Sequence, residues 1–207
     1  MANPAILSPT YFGPIQWYQK VVRHDPVWVD HGEPFRKQSY HNRCLIMTSN
    51  GPQALIVPVA SGKPYAQDST PLISNHGKWR HEHWNALCTA YGDSPFFLYY
   101  ADDIRPFFEE EHWTNLFDFN LDITRKICEL LEIIPPQPFT SKDTAMNLSE
   151  EETPRRYVIQ PKHPLPDPDF QPRPYFQVYR QRHGFQPNLS ILDLLFNMGP
   201  EAILYLQ

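Results

Sequence analysis

The sequence predicts an α/β fold: a single domain built on a mixed sheet, in two or three layers, with packed helices. Three observations carry that expectation. The chain opens with a strand–loop–helix–strand unit, it holds a β-hairpin signal between residues 43 and 59, and it contains a helix near 114–133 that is apolar on two faces. At 207 residues it is long enough to bury a substantial core as one unit. Residues 1–134 form the expected α/β core, 135–175 a proline-rich extended arm, and 176–207 a closing segment and helix that pack back on the core.

Pro4 to Leu7 reads as a short strand running into the turn-rich Ser8–Gly13, and Pro14 sits where a helix favours proline, in its first turn. Ile15, Tyr18 and Val22, with Val21 beside them, then give one apolar face. Asp25-Pro26 closes that helix before the β-branched run Val27-Trp28-Val29. In a parallel sheet such a unit puts the loop after its first strand at the carboxyl edge, where α/β proteins bind ligands.

Arg43–Ser49 and Gln53–Val59 flank Asn50-Gly51, a strong short-range hairpin signal. A polar loop follows. Trp84, Leu87, Cys88 and Tyr91 are spaced as one stripe of a helix running from about Lys78 to Gly92. The next helix is expected from Thr114 to about Ile133, with Phe117, Leu121, Thr124, Cys128 and Leu131 on one face and Ile123, Ile127 and Leu130 on another, so that it is buried on two sides.

From Pro135 to Tyr175 there are 10 prolines in 41 residues, and Glu150 to Glu152 is acidic. Proline lacks the amide donor and fixes φ, which excludes a central strand or a long helix. A partly ordered arm lying over the domain is expected, because Phe170, Tyr175, Phe176 and Tyr179 would otherwise stand exposed. Near the end, Ser190 and Asp193 fit a capping pattern and Gly199 suits the left-handed residue past a C-terminus, framing a short buried helix over Ile191–Met198.

A net charge of -5 with no basic cluster argues against a nucleic-acid partner. Cys44, Cys88 and Cys128 are odd in number and set among apolar residues, as buried thiols of a reducing compartment are. No signal-peptide pattern opens the chain, and no apolar run approaches the ~20 residues that cross a bilayer. A cytoplasmic location without a membrane span follows. Aromatic residues make up 14% of the chain, which serves core packing and also ligand pockets.

Of the histidines, His76, His81, His83 and His112 lack the helical three-or-four spacing of paired metal ligands, so no metal site is expected. There is no G-x-S-x-G, no phosphate-cradling glycine loop with its lysine and no G-x-G-x-x-G, and no motif identifies a cofactor. One polar stretch remains, Arg36 to Arg43. It has two readings: a carboxylate or phosphate contact, or a solvated edge strand whose charges block aggregation.

The run Tyr11–Val21 with Asp25, the stretch Lys37-x-Ser39-x-x-Asn42-Arg43, and Phe185-x-Pro187-Asn188-Leu189-Ser190-x-x-Asp193-x-x-Phe196-Asn197-x-Gly199 resemble the WbqC-like family. Leu55-x-Val57-Pro58-Val59, Trp79-Arg80-x-x-His83 and Asn120 ahead of Leu130–Ile133 fit the same pattern. The resemblance implies a link to bacterial surface-polysaccharide gene clusters, with modification of a sugar or transfer of a small acyl or aminoacyl group. Longer members open with a His-Gln-Pro-like turn where this chain has Leu7-Ser8-Pro9, and carry a further α/β segment in place of the arm. The opening strand, turn and helix also resemble class I nucleotidyltransferases, without their signature histidine pair.

Two functions are therefore expected in competition. In the first, a small-group transferase takes an activated sugar or acyl donor. His83 serves as general base with Lys37 beside it as the second catalytic group, Tyr11 and Trp17 line or stack, and Asn42, Arg43, Trp79 and Arg80 complete the substrate contacts. In the second, a non-catalytic module keeps the fold and uses the aromatic arm to bind a partner or a second copy as a homodimer. For Asn188 and Asn197 structural roles are expected.

Overall fold

The computed structural model describes residues 3–60, 71–140, 155–162 and 164–207. Its elements run β1 (Ala5–Leu7), α1 (Ile15–Arg23), β2 (Val27–Asp30), β3 (Arg43–Thr48), β4 (Gly51–Ile56), α2 (Trp79–Tyr91), α3 (Phe97–Ile104), α4 (Pro106–Glu109) and α5 (Leu116–Leu130). Then come β5 (Gln137–Phe139), β6 (Arg155–Arg156), α6 (Arg180–His183), α7 (Ile191–Met198) and a 3-10 turn over Gly199–Tyr205. The acidic Glu150–Glu152 and most of the polar loop after the hairpin lie outside the described residues.

β1 and β2 pair in parallel with Ala5 opposite Val27 and Leu7 opposite Val29, so the opening unit is a parallel crossover as its sequence predicts. Both neighbours come from the arm. β5 adds to β2 and β6 to β1, again parallel, giving the order β5-β2-β1-β6. The arm is thus confined to the sheet's edges, where Pro138 costs no shared ladder bond. The hairpin β3–β4 stands apart as its own two-stranded sheet. Its turn is Ser49-Asn50, one residue earlier than the Asn-Gly pair suggests, because Gly51 at φ 109° closes the ladder opposite Thr48.

α1 is buried on every side from Ile15 to Val21, including Lys20, rather than along one face. Pro14 supplies no side-chain cap. Asn188 acts from across the chain instead: its Oδ1 accepts from the Gln16 amide at 2.9 Å and its Nδ2 donates to the Gln16 side chain at 3.0 Å. An orphan donor of the first helical turn is satisfied by a residue 172 positions away.

On α2 the buried line is Trp79, His83, Leu87 and Ala90, while Trp84 and Cys88 are only partly buried. The difference from the expected stripe arises because this helix packs between β3 and α4, where His83 meets Tyr11, Trp79 and Phe108. α3 and α4 are not anticipated by the sequence reading. α5 begins two residues later than expected, with Asn115 capping the Asp118 amide at 2.8 Å, and is buried on both predicted faces.

α7 spans the predicted residues, with the Ser190 hydroxyl accepting from the Leu192 amide and Gly199 at φ 56°. Asp193 does not complete a capping box. Its carboxylate turns into the core and accepts from Tyr91 Oη at 2.9 Å, Tyr175 Oη at 2.5 Å and Gln177 Nε2 at 3.1 Å. Burial still pushes this carboxyl up, to about 6, against the three donors that favour its ionised form.

Tyr175 is therefore part of the core, while Phe170 and Tyr179 are half-buried and Phe176 is exposed. These four rings do not form the flat apolar patch expected of a docking module. Cys44 and Cys128 are buried free thiols and Cys88 a partly buried one; burial pushes Cys128 up to about 12.

Candidate functional site

A parallel sheet opens the loops after neighbouring strands at one edge. Here β1 leads into Ser8 and Pro9, and β2 leads through Asp30 into His31 and Glu33. Asp30 shapes the second turn by accepting from the Gly32 amide at 2.9 Å, and Arg156 of β6 holds its other oxygen at 2.6 Å. The His31 amide donates to Phe139 of β5 at 2.8 Å. The arm therefore fixes the turn from both sides.

Between these turns and the start of α5 lies a narrow hollow of about 20 Å³, room for about one water. Pro9, Phe35, Leu116 and Phe117 give its apolar walls, and His31, Glu33, His41 and Asn120 its polar groups. The turn after β1 and the Lys37–Arg43 stretch meet here: the Tyr11 amide donates to the Tyr40 carbonyl at 2.9 Å, and Pro9 and His41 line the same space.

Glu33 Oε1 is 3.7 Å from His41 Nε2, with both side chains largely buried. Burial pushes the Glu33 carboxyl up, but His41, Ser8 and the Arg36 guanidinium outweigh it and hold the group below the usual carboxylate range. Asn120 Oδ1 is buried without a hydrogen-bond partner, while the Glu33 carboxylate has Ser8 and His41 beside it. The Asn120 amide nitrogen is committed to the His41 carbonyl at 2.7 Å, which aligns the backbone of the imidazole. An ionised carboxylate beside an imidazole can take up, hold and return a proton.

The residues anticipated from sequence fall elsewhere. Tyr11, Trp79, Arg80 and His83 gather in one buried cluster. Tyr11 Oη and His83 Nδ1 are 2.9 Å apart, and His83 is pushed down to about 4 by burial, against a backbone hydrogen bond to Ile56 that favours its charged form. A neutral imidazole is satisfied on both nitrogens there, as a strut between α2 and the hairpin. The Arg80 guanidinium lies 4.4 Å over the Trp79 ring and donates to Asn75 at 3.0 Å, with Nε and Nη2 unpartnered.

Trp17 is buried and donates to the Ser8 carbonyl at 2.9 Å, so it steadies the turn behind the hollow without lining it. Lys37 is exposed in a turn. Asn42 ties the hairpin by donating to the Val57 carbonyl at 2.8 Å, and Arg43 begins β3. Asn188 bridges α1 as described, and Asn197 donates to the Asp193 carbonyl one turn earlier at 2.7 Å.

His31, Glu33 and His41, which line this candidate site, are not singled out by the sequence. A signal existed: His31-x-Glu33 directly follows a strand of the parallel unit, where the edge rule that singled out the turn after β1 applies equally. Among the described residues no three or more His, Cys, Asp or Glu side chains are placed to hold a metal ion, and no helix is long and apolar enough to cross a membrane.

Fold and hollow together define an α/β protein with an acid–imidazole pair at the carboxyl edge of a parallel sheet. The chain belongs to the WbqC-like protein family, which it matches over residues 8–161 and 167–205. It is also similar to the uncharacterized protein Rv1507c of Mycobacterium tuberculosis (strain ATCC 25618 / H37Rv), at 28% identity across 100% of this chain and 98% of that protein. No solved structure matches it.

Proposed function

We propose that the protein is a small-group transferase acting on an activated sugar or acyl donor, with its reaction centre at the carboxyl-edge hollow and its place in bacterial surface-polysaccharide synthesis. The observation that carries this reading is the buried Glu33–His41 pair beside the unpartnered Asn120 oxygen, at the edge where parallel sheets bind ligands. The polysaccharide link rests on the family resemblance.

In this reading His41 takes the proton from the acceptor's hydroxyl or amine as it attacks the donor, and Glu33 orients the imidazole and stabilises its charge. The donor's leaving group departs with the bond electrons. Asn120 fixes the His41 backbone, and Trp17 and Arg156 hold the two turns in place. His83 belongs to the supporting core, because its nitrogens already have partners and it stays neutral well below pH 7.

The test is to incubate the full chain with nucleotide-activated sugars and acyl thioesters, each with neutral and amino sugars as acceptors, and follow transfer by mass spectrometry. Transfer that is lost in Glu33→Gln and His41→Gln supports the assignment. Transfer that survives both substitutions would remove the hollow from the reaction.

A further inference from the structure

A far roomier cleft than the hollow opens at the opposite, amino edge of the sheet, where β2 starts at Val27 and β5 at Gln137. It measures about 510 Å³ and lies between the end of α1 and the chain that leaves α5. That is the size of a small-molecule site. Val22, Val27, Ile133 and Ile134 give it aliphatic walls, and Ile134 stands 84% exposed to solvent.

The charged residues on this lining, Asp25 and Glu132, are both acidic and exposed. Among the described residues neither carboxylate takes part in an ion pair. His24 also lines the cleft but brings no positive charge near neutral pH. Its Nδ1 is 2.9 Å from the Asn3 carbonyl, its Nε2 is 2.9 Å from the Tyr157 hydroxyl, and burial holds it below its ordinary range.

Glu132 stands where local structure disfavours it. α5 ends with the Ile133 amide donating to the Cys128 carbonyl at 2.9 Å and the Glu132 amide to the Glu129 carbonyl at 3.1 Å, which puts Glu132 at φ 55°. Glycine is the usual residue at that position of a helix end. The C-terminal end of a helix dipole also favours a cation over a carboxylate. Neither the turn nor the dipole therefore accounts for an acidic side chain beside the cleft. A neutral apolar ligand would use the walls and leave the acidic rim idle, and an anion would be repelled. A ligand with an aliphatic body and a cationic head uses both.

We infer that this cleft binds a small alkylammonium ion, its alkyl body against Val22, Val27, Ile133 and Ile134 and its charge near Asp25 and Glu132. The site lies at the other edge of the sheet from the hollow, so it stands or falls independently of the transferase reading.

The experiment titrates the full chain, labelled with nitrogen-15, at pH 7 and low salt with n-hexylammonium chloride, n-hexanol and sodium hexanoate, and follows the amide chemical shifts. Hexylammonium should give saturable shifts centred on Val22, Val27 and Ile133, while hexanoate gives none. It should bind roughly fivefold or more tighter than hexanol, as a charge contact in water provides. Glu132→Gln should weaken hexylammonium binding without lowering Tm, because the lost carboxylate opposes the helix dipole. The inference is overturned if hexylammonium gives no saturable shift, if the shifts centre elsewhere, if hexanol or hexanoate binds as well, or if Glu132→Gln and Asp25→Asn together leave the affinity unchanged. Should the substituted chains fail to fold, the three ligands on the unsubstituted chain decide the matter alone.

Discussion

The ammonium of Lys20 on α1 lies 2.8 Å from the carboxylate of Asp167 in the arm, and the Lys20 side chain is wholly buried. Gln16 donates to the same carboxylate at 2.8 Å, and the Lys20 nitrogen also sits 4.5 Å above the Tyr157 ring. Burial pushes the Asp167 carboxyl up, yet Lys20 and Gln16 hold it below its ordinary range. The central helix of the parallel unit is thus electrically incomplete without a residue far along the chain.

Removing one partner of a buried pair leaves the other charge unmet, at a cost of about 3–5 kcal/mol. Asp167→Ala should lose stability of this order in urea unfolding, toward the lower end because the carboxylate is 12% exposed. The double variant with Lys20→Met should recover much of the loss. A decrease below ~1 kcal/mol for Asp167→Ala would show that the pair does not anchor the arm.

Two buried groups impose opposite pH slopes. His83, held down at about 4, contributes stability that is complete above its ordinary 6.5 and lost as pH falls through about 4. Asp193, pushed up to about 6, contributes stability that is complete below its ordinary 3.8 and lost as pH rises through about 6. Each shift is worth on the order of 3 kcal/mol across its window, and the two oppose each other. Relative to the unsubstituted protein, His83→Gln should gain stability on acidification from pH 6.5 to 4 and Asp193→Asn should lose it, in denaturant midpoints taken at half-unit steps. Parallel profiles for all three proteins would contradict this.

Gly199 ends α7 at φ 56°, and a Cβ there would come within 2.5 Å of the Phe96 ring. Gly199→Ala combines backbone strain of about 1–3 kcal/mol at a positive φ that favours glycine with overpacking of about 1–3 kcal/mol. A Tm unchanged within a degree would mean that Phe96 yields freely.

On the proposed reading, His41 carries the chemistry and His83 belongs to the scaffold. His41→Gln should lower kcat by roughly 10²-fold or more, whereas His83→Gln should lower Tm and spare kcat. The reverse pattern would return the reaction to the Tyr11–His83 cluster.

Local signals made much of the fold readable. Pro14 with its following apolar spacing marks α1, Asn50-Gly51 marks the hairpin, and Ser190 with Gly199 brackets α7. α3 was hidden because Phe97-Leu98-Tyr99-Tyr100 is apolar in succession, with Leu98 and Tyr99 exposed at 82% and 73%, so no periodicity points to a buried face. The strands of the arm escaped notice because two- and three-residue pairings depend on partners far off in sequence. The candidate site was half legible. Its edge of the sheet follows from the opening unit, but Glu33 and His41 gain their meaning from mutual distance, and His83 sits in the core because α2 turns that face toward Tyr11.

The inner strands of the parallel sheet are made early, and both of their outer neighbours are made more than a hundred residues later. At ordinary ribosomal speeds the interval is roughly 5–20 s. Throughout it, the outer edges of β1 and β2 lack the strands that cover them in the finished fold, an arrangement that invites pairing with another chain.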